Sequence, residues 1–397
     1  MARRVMPKGF KVNGIHCGIK RFSKDLGLIF SRFPCKAAGV FTKNKMKAAP
    51  ITVTKDVVNR GGPIHAIIVN SGNANCCTGR YGTKDAKRIV HAVCDSLKLN
   101  FGNVCIASTG IIGKRLPVDD IVTGVPKLVK RLSEKAIPNF AKAILTTDRM
   151  TKVETVTFNV GKKEVVITGI CKGAGMIYPN MATMLCFVTT DAKIDKDALK
   201  NALKRSVVGS FNRITIDGDM STNDCVLLLA NGQAQNRTIK KDTKEYEAFV
   251  KALQKVTLEL AKDIVRDGEG ATKFVTIYVK GAKTEKDAEI VARAIANSSL
   301  VKTSIFGQDG NWGRVASTIG ASMADGIKQK KLEIWLDGVC MFKHGEFTNP
   351  SSVRAARVYK RKNIKIMINL NAGNKSATIF TCDLSKKYVA INAHYLT

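Results

Sequence analysis

Residues 173–192 read GAGMIYPNMATMLCFVTTDA, a glycine-rich loop that leads into a short apolar run. The run contains β-branched side chains and is short enough to form a buried strand. Gly173, Gly175 and Pro179 predict a turn before it. Thr183 stands at the junction of loop and strand, where a threonine is more often structural than catalytic. This local pattern leaves both interpretations open.

The composition indicates a folded protein with more than one domain. The chain has 397 residues, of which 45% are hydrophobic, enough for two or three domains with sizeable cores. Its apolar runs all fall short of the roughly 18 residues of a membrane helix, and the first residues lack the apolar segment of a signal peptide. We therefore expect a cytoplasmic protein with no membrane contact.

Eleven cysteines are scattered along the chain, mostly inside apolar runs. They form no C-x-x-C pair and have no histidine at metal-ligand spacing. This pattern predicts reduced core cysteines and no metal site.

The chain is strongly basic, with 65 basic and 32 acidic residues and a formal charge of +33. Such a charge suits a phosphate-rich partner, so a nucleic-acid-binding protein is one alternative function. The basic residues are spread over the whole chain, the clusters KQKK (328–331) and KRK (360–362) are short, and aromatic residues make up only 6%. This distribution favours a solvated lysine-rich surface, although charge alone does not exclude nucleic acid.

Short apolar runs alternate with stretches of helical spacing. A long helix is predicted after Asp242, with Asp242 and Glu245 as a capping box and Gly268 at its end, and another begins near Thr284. Because strands and helices follow no strict β-α-β rhythm, the predicted fold class is α+β with mixed sheets in layers. The stretch 280–287 is the predicted boundary to a smaller C-terminal unit. The predicted core strands are 64–72, 103–110, 184–190, 224–232, 273–281 and 364–373.

Polar, Gly-rich loops at strand ends are the places where such a scaffold presents functional groups. The loop NSGNANCCTG (70–79) fits either an anion-binding nest or a tight turn. In STGIIGKRLP (108–117), the Thr109 hydroxyl beside the backbone N–H of Gly110 is the donor pair that an oxyanion hole requires, and a strand-capping turn has the same sequence. The chain contains no serine-protease, zinc-protease or phosphate-loop motif.

The third such loop precedes Thr183. Threonine is a weak nucleophile, and it can be activated by its own free α-amine, whose ordinary pKa is about 7.7 to 8.0. That arrangement requires a cut of the chain directly before the threonine. The small Ala182 would allow the threonine hydroxyl to attack the preceding carbonyl.

The chain resembles the ornithine acetyltransferase family, arginine-pathway enzymes also described as glutamate N-acetyltransferases. Nine stretches match the family in its own order and span residues 41–397. They are FTKNKMKAAP, NSGNAN, ASTGIIGKRLP, AILTTD, KGAGMIYPNMATML, SFNRITIDGDMSTND, VRDGEGATK, GQDGNWGR and INAHYLT.

This resemblance implies self-cleavage between Ala182 and Thr183, giving an α chain of residues 1–182 and a β chain of residues 183–397. Thr183 would be the nucleophile with its α-amine as base, and Thr109 with Gly110 the oxyanion hole. The substrate-binding residues implied are Thr146, Lys172, Thr183, Glu269, Asn392 and Thr397.

The implied reaction is ping-pong transfer of the acetyl group of N-acetylornithine to glutamate through an acetyl-threonine, giving ornithine and N-acetylglutamate. No cofactor is expected, although acetyl-coenzyme A is left open as an alternative donor. The implied fold is a layered α-β-β-α sandwich with a smaller C-terminal α/β unit at about 284–397, assembled from two copies of each chain.

Two alternatives differ from this reaction. An N-terminal-nucleophile aminopeptidase or amidase of the same superfamily would transfer the acyl group to water. A basic nucleic-acid-binding protein would be indifferent to Thr183. The segment 347–366 is more basic than the family pattern leads us to expect, which keeps anion binding open as a side activity.

Overall fold

The computed structural model describes residues 4–178, 184–355 and 357–394. The chain divides into two compact units. The first contains the chain up to Asn212 together with Asp219–Ile264, and the second contains Arg213–Gly218 and the described chain from Val265 onward.

Strands and helices occur throughout both units. The strands are β1 Phe10–Ile15, β2 Leu26–Phe41, β3 Ile64–Asn73, β4 Val104–Ile111, β5 Lys152–Val160, β6 Lys163–Lys172, β7 Leu185–Thr190, β8 Cys225–Ala230, β9 Phe274–Ala282, β10 Glu333–Leu336, β11 Val339–Lys343, β12 Glu346–Phe347, β13 Asn363–Asn369 and β14 Lys375–Cys382. The helices are α1 Ala49–Arg60, α2 Gly79–Leu97, α3 Val118–Lys130, α4 Ile137–Ala143, α5 Lys196–Val208, α6 Lys244–Arg266, α7 Glu285–Asn297, α8 Ser299–Phe306, α9 Trp312–Ala321, α10 Ser352–Ala355 and α11 Lys386–His394. The six predicted core strands correspond to β3, β4, β7, β8, β9 and β13, so those predictions are confirmed.

The long strand β2 joins the two halves of the sheet in the first unit. The strand order is β4-β3-β2-β8-β7-β6-β5, and β1 pairs with β2. The pairing of β2 with β3 shifts register between Phe30 and Cys35. Before the shift β2 pairs with β1 and β3. After it, Cys35 still pairs with Ile64 of β3, and Lys36–Phe41 pair with β8. One strand therefore belongs to two β layers.

The buried side chains show how these layers pack. Ile67 of β3 and Phe187 of β7 belong to one core cluster, which lies between the two halves of the sheet. On the outer side of the first half, Ile68 packs with apolar residues of α2 and α3. On the other half, a Cβ at Gly169 of β6 would collide with Val256 and Leu260 of α6, so this helix lies directly on the sheet. The order is helix, sheet, sheet, helix, and the predicted layered α+β sandwich with mixed sheets is confirmed.

The second unit has its own six-stranded mixed sheet, in the order β12-β11-β10-β13-β9-β14. Strands β9 and β13 are parallel, and the other pairs are antiparallel. Ile277 and Val279 of β9 pack with Val291 and Ile295 of α7 in its core. The unit begins before the start near Thr284 that the sequence suggests, because β9 is an inner strand of its sheet.

The cap predicted from the sequence is present at the start of α7, but the cap predicted for α6 is not. The Thr284 side chain accepts a hydrogen bond from the backbone N–H of Asp287, as expected for a helix cap. The predicted capping role of Asp242 is wrong. Asp242 has a left-handed backbone with φ of 63°, and the hydroxyl of Thr243 accepts from the N–H of Tyr246 instead. The cap therefore lies one residue later.

All eleven cysteines are free thiols, and most of them are buried, which confirms the prediction of reduced core cysteines. Within the described residues, no helix combines the length and the apolar character needed to cross a membrane.

Candidate active site

Thr109 and Gly110 lie near the end of β4, beside the end of the parallel strand β3. Gly110 has φ of 131°, and a Cβ at this position would collide with the backbone of Gly72 and Asn73. Only glycine fits here, because the left-handed backbone and the close approach of β3 both exclude a side chain. This packing fixes the backbone of Gly110, the residue that follows Thr109.

Lys172, the last residue of β6, connects Thr109 to Thr146. Its ammonium donates to Oγ1 of Thr146 at 2.8 Å and to Oγ1 of Thr109 at 3.4 Å. The Lys172 side chain is only 10% exposed. Lys172 is 26 positions from Thr146 and 63 positions from Thr109 in the sequence. These three residues, all predicted for the site, therefore meet at one place in the first unit.

A buried carboxylate organises this cluster, and sequence reasoning missed it. Asp148 lies fully inside and accepts from the backbone N–H of Thr146 at 3.1 Å and of Gly173 at 2.7 Å. Its carboxylate is 2.7 Å from Nζ of Lys152 and 3.9 Å from Nζ of Lys172. Burial alone would raise the pKa of Asp148, but the two ammonium groups outweigh it and hold the pKa below its ordinary range. The one sequence feature that marks Asp148 is its place at the end of the stretch AILTTD, directly after Thr146 and Thr147.

The asparagines of the loop 70–79 bond to backbone groups. The side-chain amide of Asn70 donates to the carbonyl of Asn73, and that of Asn73 donates to the carbonyls of Lys114 and Arg115. Asn75 donates to the carbonyl of Gly82. These bonds hold the ends of β3 and β4 together. The contacts of the three side-chain amides therefore agree with the tight-turn interpretation of this loop.

Asp224 is a second buried carboxylate near Lys172. It directly precedes β8, is 3% exposed, and its Oδ2 has no hydrogen-bond partner among the described residues. Burial raises the pKa of Asp224 well above its ordinary range, although Ser221 and Lys172 act to lower it. The surroundings of Asp148 thus favour its anion, whereas the burial of Asp224 favours its neutral acid.

The raised pKa of Asp224 predicts that Asp224→Asn changes the free energy of unfolding in a pH-dependent way. Because its pKa is raised on folding, Asp224 contributes stability below its unfolded pKa of about 3.9, and that contribution is lost as the pH rises toward the folded value. The amide cannot ionise, so the variant should gain on wild type by up to about 1.4 kcal/mol per pH unit across that window. Urea unfolding at pH 5 and pH 8 measures this gain, and Asp119→Asn at an exposed position is the control. An Asp224→Asn difference that is the same at both pH values would show that Asp224 does not titrate in this way.

Glu269 and Asn392 meet in the second unit. Oε2 of Glu269 accepts from Nδ2 of Asn392 at 2.8 Å, and Glu269 is 7% exposed. Gly270, with φ of 69°, lies against Tyr388 and Ser385, because a Cβ there would be 2.5 Å from the N of Tyr388. The loop after α6 is thus packed on the start of α11, which explains how residues 123 apart in sequence come together.

The remaining predicted residues, Ala182, Thr183 and Thr397, lie outside the described residues. Their neighbour Met184, which follows Thr183 in sequence, is described. Its carbonyl accepts from the N–H of Cys225, and Leu185 pairs with Lys172 across β6 and β7. The strand that begins after the proposed nucleophile is therefore paired with the strand that ends in Lys172.

The chain matches the ArgJ family over residues 11–397. The chain belongs to the ArgJ family. The arginine biosynthesis bifunctional proteins ArgJ of Caldanaerobacter subterraneus subsp. tengcongensis and Thermotoga neapolitana are 44% and 43% identical to it. These comparisons cover 99% of this chain in both cases, and 98% and 100% of the two relatives.

A solved ArgJ structure is also similar. The crystal structure of ArgJ from Bacillus halodurans is 43% identical, with a TM-score of 0.51 over 53% of this chain and 98% of that chain. Membership of the ArgJ family confirms the predicted relationship to the acetyltransferases of arginine biosynthesis.

Proposed function

We propose that this ArgJ protein transfers the acetyl group of N-acetylornithine to glutamate through an acetyl-threonine on Thr183. The observation that carries the proposal is the convergence of Thr109, Gly110, Thr146 and Lys172, with β6 paired to the strand that follows Thr183. A hydroxyl and a fixed backbone N–H near the end of β4, together with an ammonium group at the end of β6, provide what acyl transfer from an amino-acid amide requires.

In this mechanism Thr183 first becomes an N-terminus by a cut after Ala182. Its Oγ then attacks the acetyl carbonyl of N-acetylornithine while its α-amine accepts the hydroxyl proton. The tetrahedral oxyanion is stabilised by the Thr109 hydroxyl and the Gly110 N–H. The α-amine returns the proton to the leaving nitrogen, and ornithine departs. The amine of glutamate then attacks the acetyl ester and releases N-acetylglutamate.

Lys172 can orient the Thr109 hydroxyl for this task. An ammonium group only donates hydrogen bonds, so the 3.4 Å contact makes the Thr109 oxygen an acceptor and leaves its proton free to donate. The same ammonium group supplies positive charge for a substrate carboxylate. Glu269, Asn392 and Thr397 are proposed as further substrate-binding residues.

The self-cleaved state has support from the length of the solved relative. The Bacillus halodurans chain is covered to 98% by an alignment that spans 53% of this chain. Residues 183–397 likewise form slightly more than half of this chain. We propose that the α chain 1–182 and the β chain 183–397 stay associated, as two copies of each.

A second donor is proposed from the relatives' description as bifunctional. Acetyl-coenzyme A would acetylate the same Thr183 and so allow net synthesis of N-acetylglutamate. Formation of N-acetylglutamate from acetyl-coenzyme A and glutamate, with no N-acetylornithine present, tests this activity. Transfer to water, as in an aminopeptidase or amidase, would instead give free acetate from N-acetylornithine without glutamate.

Thr109→Ala tests the oxyanion hole. Loss of one such donor lowers kcat by about 10²- to 10³-fold in comparable sites, and we expect a loss of that size here. Thr109→Ser keeps the hydroxyl and is the matched control, which should retain most of the turnover. Steady-state kinetics with N-acetylornithine and glutamate measure both variants. Unchanged kinetics in Thr109→Ala would remove Thr109 from the mechanism.

A further inference from the structure

The loop between β1 and β2 is built around one buried carboxylate. Asp25 accepts hydrogen bonds from the backbone N–H of Cys17 at 2.7 Å, from that of Lys20 at 2.9 Å, and from Nδ1 of His16 at 3.1 Å. The Asp25 side chain is fully inside the protein. A loop closed on three such bonds presents its side chains in a fixed position.

The side chain held in this way is that of Lys20. Its Nζ donates to the backbone carbonyl of Leu145 at 2.9 Å. Its stem lies on Gly72, where a Cβ would be 2.8 Å from Cγ of Lys20. Gly72 also has φ of 96°, so both the backbone and the lysine stem require glycine there. The Lys20 ammonium therefore reaches the same segment that Lys172 contacts.

Two ammonium groups thus flank one stretch of backbone. Lys20 contacts Leu145, and Lys172 contacts Thr146, the next residue. No carboxylate of the described residues forms an ion pair with Lys20 within 4.0 Å. Asp25 already accepts three hydrogen bonds. Asp148 accepts from Lys152 and from two backbone N–H groups, and it lies 3.9 Å from Nζ of Lys172.

The two ammonium groups repel each other in a partly buried place. Burial lowers the pKa of Lys20 and the nearby Lys172 charge lowers it further, while Asp25 and Asp148 act in the opposite direction. A bound carboxylate between the two ammonium groups would offset their repulsion. The place is therefore suited to the carboxylate of a ligand.

We propose that Lys20 is a substrate-binding residue that holds, together with Lys172, the α-carboxylate shared by N-acetylornithine and glutamate. This inference rests on the proposed function. Lys172 lies 3.4 Å from the Thr109 oxygen, which is proposed to face the acetyl carbonyl. The α-carboxylate is one carbon from the acylated nitrogen, whereas the end of the substrate side chain is several bonds further away. The α-carboxylate is thus the substrate anion that falls beside these lysines.

A donor without the carboxylate separates this role from a structural one. N-acetylputrescine is N-acetylornithine with the α-carboxylate removed. Lys20→Met keeps the stem on Gly72 and removes the charge. We expect Lys20→Met to lower kcat/KM for N-acetylornithine about 10- to 100-fold more than for N-acetylputrescine, the usual size for a hydrogen bond to a charged group. Lys20→Arg should restore much of the loss.

The acceptor gives a second readout. Because glutamate carries the same α-carboxylate, its KM should rise in Lys20→Met by a factor similar to that of N-acetylornithine. A rise for glutamate alone would assign Lys20 to the γ-carboxylate and overturn the proposal. Equal losses of kcat/KM for N-acetylornithine and N-acetylputrescine would show a structural role and also overturn it. Lys36→Met is the control, because Lys36 donates to the carbonyl of Ile194 in a similar way away from this cluster.

A measurement on the unaltered protein covers the case in which Lys20→Met does not fold. Amine-reactive labelling followed by peptide mass spectrometry gives the rate at which Lys20 is modified. N-acetylornithine is expected to slow this labelling, and an unchanged rate would contradict the proposal. Failure of the acetyl-threonine mechanism is distinguishable, because it would show as the absence of an acetyl adduct in wild type while Lys20 was still protected.

Discussion

Thr183→Ala is expected to yield a single uncut chain with no detectable acetyl transfer. The alanine offers no hydroxyl to attack the carbonyl of Ala182, and without the cut no α-amine exists to act as base. Both the processing and the chemistry should therefore fail together. Denaturing electrophoresis of the purified variant and an assay of N-acetylglutamate formation measure the two effects.

The control for this change is Thr183→Ser. Serine keeps the hydroxyl, so we expect cleavage and transfer to persist at a reduced rate. A cut chain in Thr183→Ala would refute self-cleavage by this residue. An uncut but fully active Thr183→Ala would assign the nucleophile elsewhere.

Asp148→Ala is expected to destabilise the first unit by about 3–5 kcal/mol, the usual cost of breaking a buried ion pair. The change removes the carboxylate 2.7 Å from Lys152, whose side chain is fully buried. It also removes the acceptor for the N–H groups of Thr146 and Gly173. Urea unfolding at pH 7 measures the loss, and the double variant Asp148→Ala/Lys152→Met should recover part of it.

Two comparisons make this prediction specific. Asp119 forms an ion pair with Arg88 at 2.7 Å, but its side chain is 89% exposed, so Asp119→Ala should cost no more than about 1 kcal/mol. Because the pKa of Asp148 is lowered on folding, its contribution is present above its unfolded pKa of about 3.9 and is lost as the pH falls through the folded value. The gap between wild type and Asp148→Ala should therefore narrow in acid, and an equal gap at pH 7 and pH 3 would contradict the assignment.

The sequence was informative where local chemistry determines the structure. Runs such as 64–72 became strands because β-branched side chains between turn residues favour a buried strand. Gly110 and Gly72 stood in motifs, and their left-handed backbones explain why glycine is there. The prediction of Asp242 as the cap of α6 was wrong, because the hydroxyl of the next residue, Thr243, accepts the hydrogen bond from the N–H of Tyr246.

Other features could not be predicted because their partners are distant in sequence. Lys20 and Leu145 are 125 residues apart, and no local pattern marks a lysine whose ammonium reaches another loop. Asp148 looks like an ordinary turn aspartate until its two lysines are placed beside it. Asp224 is also an aspartate in a polar stretch, but its Oδ2 has no hydrogen-bond partner among the described residues, and burial raises its pKa.

The most direct test is an intact-mass spectrum of the denatured protein, before and after incubation with N-acetylornithine in the absence of glutamate. We predict a fragment that begins at Thr183 and gains the mass of one acetyl group, which glutamate then removes. A single uncut 397-residue chain without an adduct would contradict both self-cleavage and the acetyl-threonine intermediate.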